Sequence, residues 1–392
     1  MRYYILLYGM SYTCQYLKHF LRNLPKPPAI KDAPPFFKKF TSQIKHISPL
    51  NEYTVHPPGM ISREYYQEIN RQIKDVIDNA PGYYSRQYKF ALTGQEVVVD
   101  FIFPYTEDEA KKSPNTVNLD KMFVEKLHRI HQWLFIANQH RNRDCSQKLH
   151  LWLYLTHAPK LLDNEVVLGP HHANTAFTYP CRSESEIFIF REEEWFKVLI
   201  HETFHCYDLD FCRNVELSNL ALNQIRTIFP RVNQTDVRVF ETYCETMAET
   251  LNLLFYMATR DKERDKENTV QEIIRMEQQF SVFQMVKVLR HMGLRYEDLS
   301  VAGKYREDTN IFAYYVLKTI CLLHLPEFLK SHTESLRIEQ TPAAINQFTQ
   351  FIGEKSNGTA LLDIIQQMEQ WWDKHPRGEK IEDLTLRMSL FG

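Results

Sequence analysis

The stretch Arg191-Glu-Glu-Glu-Trp195-Phe-Lys-Val-Leu-Ile-His201-Glu202-Thr203-Phe204-His205 decides how the rest of the chain is read. It contains neither Pro nor Gly, and Val198, Leu199, Ile200 and Phe204 supply apolar contact. The pattern predicts a helix over 192–207, with Glu192, Glu193 and Glu194 in a first turn where the helix dipole favours acids. On such a helix His201 and His205, four residues apart, share a face and can bring both imidazoles to one metal ion. Glu202 stands beside them, where a carboxylate can take a proton from a water that zinc has acidified toward a pKa of about 7. Just upstream, Glu186-Ile-Phe-Ile-Phe-Arg191 is rich in strand formers and predicts a strand feeding directly into the helix.

A third ligand is sought in Val237–Leu251, where Glu241, Glu245 and Glu249 recur at i, i+4 and i+8 and so stack on one face of a second helix. Like charges at that spacing cost an isolated helix about 0.2–0.5 kcal/mol per pair, a penalty that a facing cation removes. Asp208 and Asp210, just past His205, are the alternative source of that ligand.

His-Glu-x-x-His followed by a separate helix carrying Glu-x-x-Ala-Glu resembles the gluzincin metallopeptidases, the thermolysin-like and neprilysin-like group; Glu245-Thr-Met-Ala-Glu249 matches the second element. The resemblance covers roughly residues 150–255. It implies an α+β, zincin-like fold with a small mixed sheet over the His-bearing helix and a mainly helical C-terminal part. It also implies Zn2+ held by His201, His205 and Glu245, with Glu202 as general base and Glu249 orienting a histidine ligand. Asn174-Thr-Ala-Phe-Thr-Tyr179 resembles the edge strand that lines the substrate cleft in that group, which marks Asn174, Ala176 and Phe177 as substrate-binding residues. A metzincin pattern does not fit, since neither the required glycine nor a third histidine follows His205.

The expected activity is therefore hydrolysis of peptide bonds in a peptide or protein substrate. A donor to steady the oxyanion is expected from the helical half, with His291, Tyr305, Tyr314 and Tyr315 as candidates of suitable chemistry. The competing expectation is a structural or assembly protein that keeps the fold and its zinc without turnover. An intact Glu202 speaks against it, because a purely structural site needs no base.

The formal net charge of −2 over 392 residues gives no reason to expect nucleic acid or an anionic membrane as partner. No segment approaches the 18 or so uninterrupted apolar residues of a membrane span. The seven cysteines are odd in number and scattered, without a Cys-x-x-Cys pair, and read as reduced thiols of a cytoplasmic protein, secretion being the alternative.

Four regions are expected. Residues 1–60 read as a strand, a helix at Ser11–Leu24 and a Pro-rich connector whose density of prolines excludes a long helix. Residues 61–147 hold an amphipathic helix at Ser62–Ala80, a hairpin of Tyr83–Leu92 and Glu96–Phe103 turning at Gly94, and a helix at Val117–Gln139. Residues 148–258 form the catalytic core, with strands at 148–156 and near 165–168, 174–179 and 186–191. Residues 259–392 are helical at about 268–290, 310–325, 342–353 and 359–373, after a charged joint at Arg260–Glu267. His128 and His131 read as ordinary helix histidines rather than as a second metal site.

Overall fold

The computed structural model describes residues 9–31, 34–57, 63–69, 71–80, 82–103, 119–259, 269–332, 335–375 and 380–391. The strand expected at the start of the chain lies outside these residues, as does the charged joint at 260–267. The chain is a helix-rich α/β protein with one open, mixed sheet. Its strands are β1 (Thr54–His56), β2 (Tyr84–Leu92), β3 (Gln95–Phe103), β4 (Lys148–Tyr154), β5 (Ala176–Thr178) and β6 (Glu184–Ile189), in the order β1-β2-β3-β4-β6-β5. β3 and β6 run parallel to β4, and the other pairs are antiparallel. The β2–β3 hairpin turns at Gly94, whose φ of +69° is the left-handed conformation that glycine adopts without strain.

Strict alternation along the strands gives the sheet two apolar faces. Val97, Val99, Phe101, Leu149, Leu151, Leu153, Ile187 and Ile189 join the main core together with helices Leu119–Ala137 and Trp195–Cys206. Ile102, Trp152 and Phe188 point the other way. Beside them Ile69, Ile73 and Ile77 pack on Phe190. Each such side chain, fully buried, contributes about 1.5–3 kcal/mol. The helix expected at Ser62–Ala80 is two shorter ones, Arg63–Glu68 and Arg71–Asp78.

Three other expectations are corrected. The Pro-rich stretch holds a helix, Pro35–His46, because Pro35 occupies a first-turn position where its missing N–H costs nothing, and Phe36, Phe37, Phe40 and Ile44 bury its face. Residues 165–168 form no strand but a loop that runs into the short helix Pro170–Ala173. Cys145 and Cys181 are joined in a disulfide, so the cysteines are not all reduced thiols.

The helical half includes Val270–His291, the π-helical Phe312–Leu317 continuing into Lys318–Leu323, Leu325–His332, Pro342–Ser356 and Thr359–Lys374. Beyond it the chain threads back inside, burying Leu386, Arg387, Met388, Ser389 and Leu390. The main core draws on residues from Leu17 to Phe391, and so on all four expected regions. Among the described residues no helix is long and apolar enough to cross a membrane.

Candidate metal centre

The His-bearing helix spans Trp195–Cys206, starting later than its acidic leader suggests. Glu194, at φ 60°, turns out of the helix. Its buried carboxylate meets the Lys160 ammonium and accepts the N–H groups of Met388 (3.0 Å) and Ser389 (2.6 Å). Burial pushes the Glu194 carboxyl up, but the positive charges of Lys160, Lys197 and Arg387, Lys160 foremost, outweigh it and hold the carboxyl down at about 2. Every residue of this helix is buried, Lys197 included.

The second helix, Val239–Thr259, packs against it and delivers the carboxylates. His201 Nε2 lies 3.2 Å from His205 Nε2. Glu241 Oε2 lies 2.9 Å from His201 Nε2 and 3.5 Å from His205 Nε2. Tetrahedral nitrogen and oxygen ligands with bonds of about 2.0–2.1 Å stand roughly 3.3 Å from one another, so the triangle has the size a zinc-like ion requires. The other nitrogen of each ring is already engaged. His201 Nδ1 lies 2.9 Å from Glu245 Oε2, and His205 Nδ1 meets Asp210 Oδ2. Carboxylates there favour a proton on each Nδ1 and so would leave the Nε2 lone pairs to a bound ion, the usual support of a metal-bound imidazole. This group can hold a metal ion.

The register of the second helix therefore differs by one turn from expectation. Glu241, not Glu245, joins the two histidines; Glu245 orients His201 and is gripped from behind by the Lys197 ammonium. Glu249 reaches neither histidine. It accepts from Lys318 Nζ at 2.8 Å, and burial together with the neighbouring Glu277 pushes its carboxyl well above the usual range. Asp210, weighed as a ligand, orients His205, and Asp208 accepts from Arg337 (2.8 Å) and Asn142 (2.9 Å).

The group draws positive charge to itself. Burial alone would discharge His201, yet its hydrogen bonds to Glu241 and Glu245 outweigh burial and raise it to about 9. Burial pushes Glu202 upward, the nearby histidines pulling the other way. Only 8% exposed, Glu202 has no hydrogen-bond partner among the described residues.

Of the four oxyanion candidates, Tyr314 alone reaches the centre. Its hydroxyl lies 3.3 Å from Glu241 Oε2 and its ring packs edge-on against His201. It sits on the π-helical segment, a deviation frequent at functional sites. Asn310, which the sequence did not single out, donates to Glu241 Oε1 at 3.2 Å. The others are engaged elsewhere: Tyr305 with Glu307 (3.0 Å), Tyr315 with the Leu386 carbonyl (2.6 Å) and His291 with the Glu165 carbonyl (2.7 Å). On the sheet β5 is an edge strand, as expected, with Ala176 on the face toward the His-bearing helix. Phe177 stacks on Phe188 across the opposite face, turned away from the centre by strand alternation. Asn174 is spent on Thr309, which donates to its side chain at 2.9 Å.

Protein-family models, curated proteins and solved structures were compared with the chain, and none matches it.

Proposed function

We propose that the chain is a zinc-dependent hydrolase of peptide bonds, zincin-like in arrangement, with His201, His205 and Glu241 as the metal ligands. The observation that carries this proposal is a buried carboxylate, Glu202, held without a hydrogen-bond partner beside three converging metal donors, two of them imidazoles whose other nitrogen is already fixed. Among the described residues the group offers three protein donors, the number typical of catalytic zinc, whereas structural zinc is closed by four.

Zinc bound there would supply Lewis acidity, polarising a carbonyl and lowering the pKa of a water toward about 7. Glu202 takes the proton of the attacking water and passes it to the leaving amine. Tyr314 supplies a hydroxyl toward the developing oxyanion, and Asn310 holds the far oxygen of Glu241. β5 at the sheet edge offers its backbone to an extended peptide.

Incubation of the zinc-loaded protein with a peptide library, products read by mass spectrometry, tests the proposal. The parent should cleave and Glu202→Gln should not, while keeping its zinc. One observation favours the competing reading of a retained but silent centre: His201, Glu241 and His205 are 5%, 6% and 8% exposed. A parent that binds zinc yet cleaves nothing would support that reading.

A further inference from the structure

A second cluster of ligating side chains lies outside this centre, in the segment joining β4 to β5. Asp163, Glu165, His171 and His172 each place one donor atom within 4.8 Å of the others. His171 Nε2 is 3.4 Å from Asp163 Oδ2 and 3.8 Å from Glu165 Oε2. These are the separations of neighbouring ligands around a cation with bonds of roughly 2.0–2.3 Å.

His172 adds an independent observation. Its ring is completely buried, and Gly169 N–H donates to its Nδ1 at 3.0 Å, so the neutral ring carries its proton on Nε2. That nitrogen stands 3.0 Å from Asp163 Oδ1 but off hydrogen-bond alignment, and it has no hydrogen-bond partner. An unpaired buried N–H thus stands at the cluster from the protein side, beside Asp163 Oδ1, leaving Oδ2 to face His171. The backbone on both arms is anchored as well: the Glu165 carbonyl meets His291 Nε2 at 2.7 Å, and the His171 carbonyl accepts from Arg191 Nη2 at 2.7 Å. Two carboxylates and an imidazole therefore converge on a loop whose main chain is fixed from within.

We propose that this cluster is a second divalent-cation site, with Asp163, Glu165 and His171 as ligands and the buried His172 ring backing Asp163 from the protein side. Two carboxylates balance a double positive charge. The imidazole shifts preference from magnesium and calcium toward a first-row ion such as zinc or manganese. Its consequence is local order: the Leu168 carbonyl accepts from Asp308 N at 3.0 Å, so the ion fastens a loop that abuts the segment carrying Asn310 and leads directly into β5.

Zinc titration of metal-free protein, with bound metal counted by mass spectrometry after dialysis, tests this. The parent should retain two equivalents and the triple variant Asp163→Asn, Glu165→Gln, His171→Ala one, with an unchanged circular dichroism spectrum because Asp163, Glu165 and His171 lie at the surface. The same titration with His201→Ala/His205→Ala asks whether one equivalent survives without the buried centre. A parent that retains a single equivalent overturns the proposal, as does a triple variant that still retains two. Should the buried double variant fail to fold, the zinc-induced rise in melting temperature supplies the second measurement: it should be smaller in the triple variant than in the parent, and an equal rise counts against the site.

Discussion

The buried histidine centre and the loop cluster at Asp163 are built in opposite ways. In the buried group each imidazole is held at Nδ1 by its own carboxylate, Glu245 or Asp210, so the Nε2 atoms and Glu241 meet at one point. In the loop group the acids face the imidazoles directly, and only His172 is buried. The buried donors are positioned whether or not an ion is present. The exposed ones owe more of their final geometry to the ion they bind. A carboxylate behind an imidazole is thus what separates a preorganised centre from one completed by its ligand.

The sharpest way to break this contrast is to exchange Glu241 and Glu245. Glu241→Ala removes a proposed direct ligand and should abolish zinc retention through dialysis. Glu245→Ala removes an orienting bond and should weaken zinc by about 10–100-fold. Zinc affinities measured by competition with a chelator decide between them. If Glu245→Ala strips the metal while Glu241→Ala keeps it, Glu245 is the direct ligand and the second helix sits one turn further along the His-bearing helix.

That single turn is also where sequence and structure part. Glu241, Glu245 and Glu249 share a helix face, and the pattern shows that this face meets the histidines. It carries no information on how far the two helices slide past one another, and one turn is about 5.4 Å. Other features were legible for local reasons: the His-bearing helix, the β2–β3 hairpin with Gly94, and β4 from its alternation. The start of the His-bearing helix was misjudged because Glu194 answers to Lys160 and to the returning chain at Met388 and Ser389, nearly two hundred residues away. Lys197 went unweighed because a lysine among apolar neighbours reads as a surface residue until its buried partner is known. The helix Pro35–His46 carried its own start signal in Pro34-Pro35, which the overall density of prolines obscured.

Lys197 is 1% exposed and its ammonium meets Glu245, so Lys197→Met leaves a buried carboxylate short of its partner. Breaking one side of such a pair costs about 3–5 kcal/mol, and the loss should show in urea unfolding with little dependence on salt. A cost near zero would mean that His201 alone suffices to hold Glu245.

Asp210→Asn comes next in size. The amide keeps the shape and can still accept the His205 Nδ1 proton through its oxygen, but it loses the charge that makes the ring a stronger donor to a metal. Zinc affinity should fall about 10–100-fold. An unchanged affinity would mean that the ring is held by packing alone, and with it would go the claim that backing carboxylates define the buried group.

The smallest effect belongs to the exposed group in metal-free protein. Asp163 keeps 46% of its side chain in solvent, and its contacts with His171 are 3.4 Å or longer. Exposed pairs of this kind contribute about 0–1 kcal/mol and are screened by salt. Asp163→Asn should therefore shift the urea midpoint by no more than that, and the shift should shrink as sodium chloride is raised. One feature works against so small a value: the buried His172 Nε2 faces Asp163 Oδ1 at 3.0 Å, and an Asn rotated to present its amide nitrogen there would set donor against donor. The Asn oxygen can take that place by a flip of the side chain, which keeps the expected cost low. If metal-free Asp163→Asn loses as much stability as Lys197→Met, the loop cluster is preorganised after all, with His172 acting toward Asp163 as Asp210 acts toward His205.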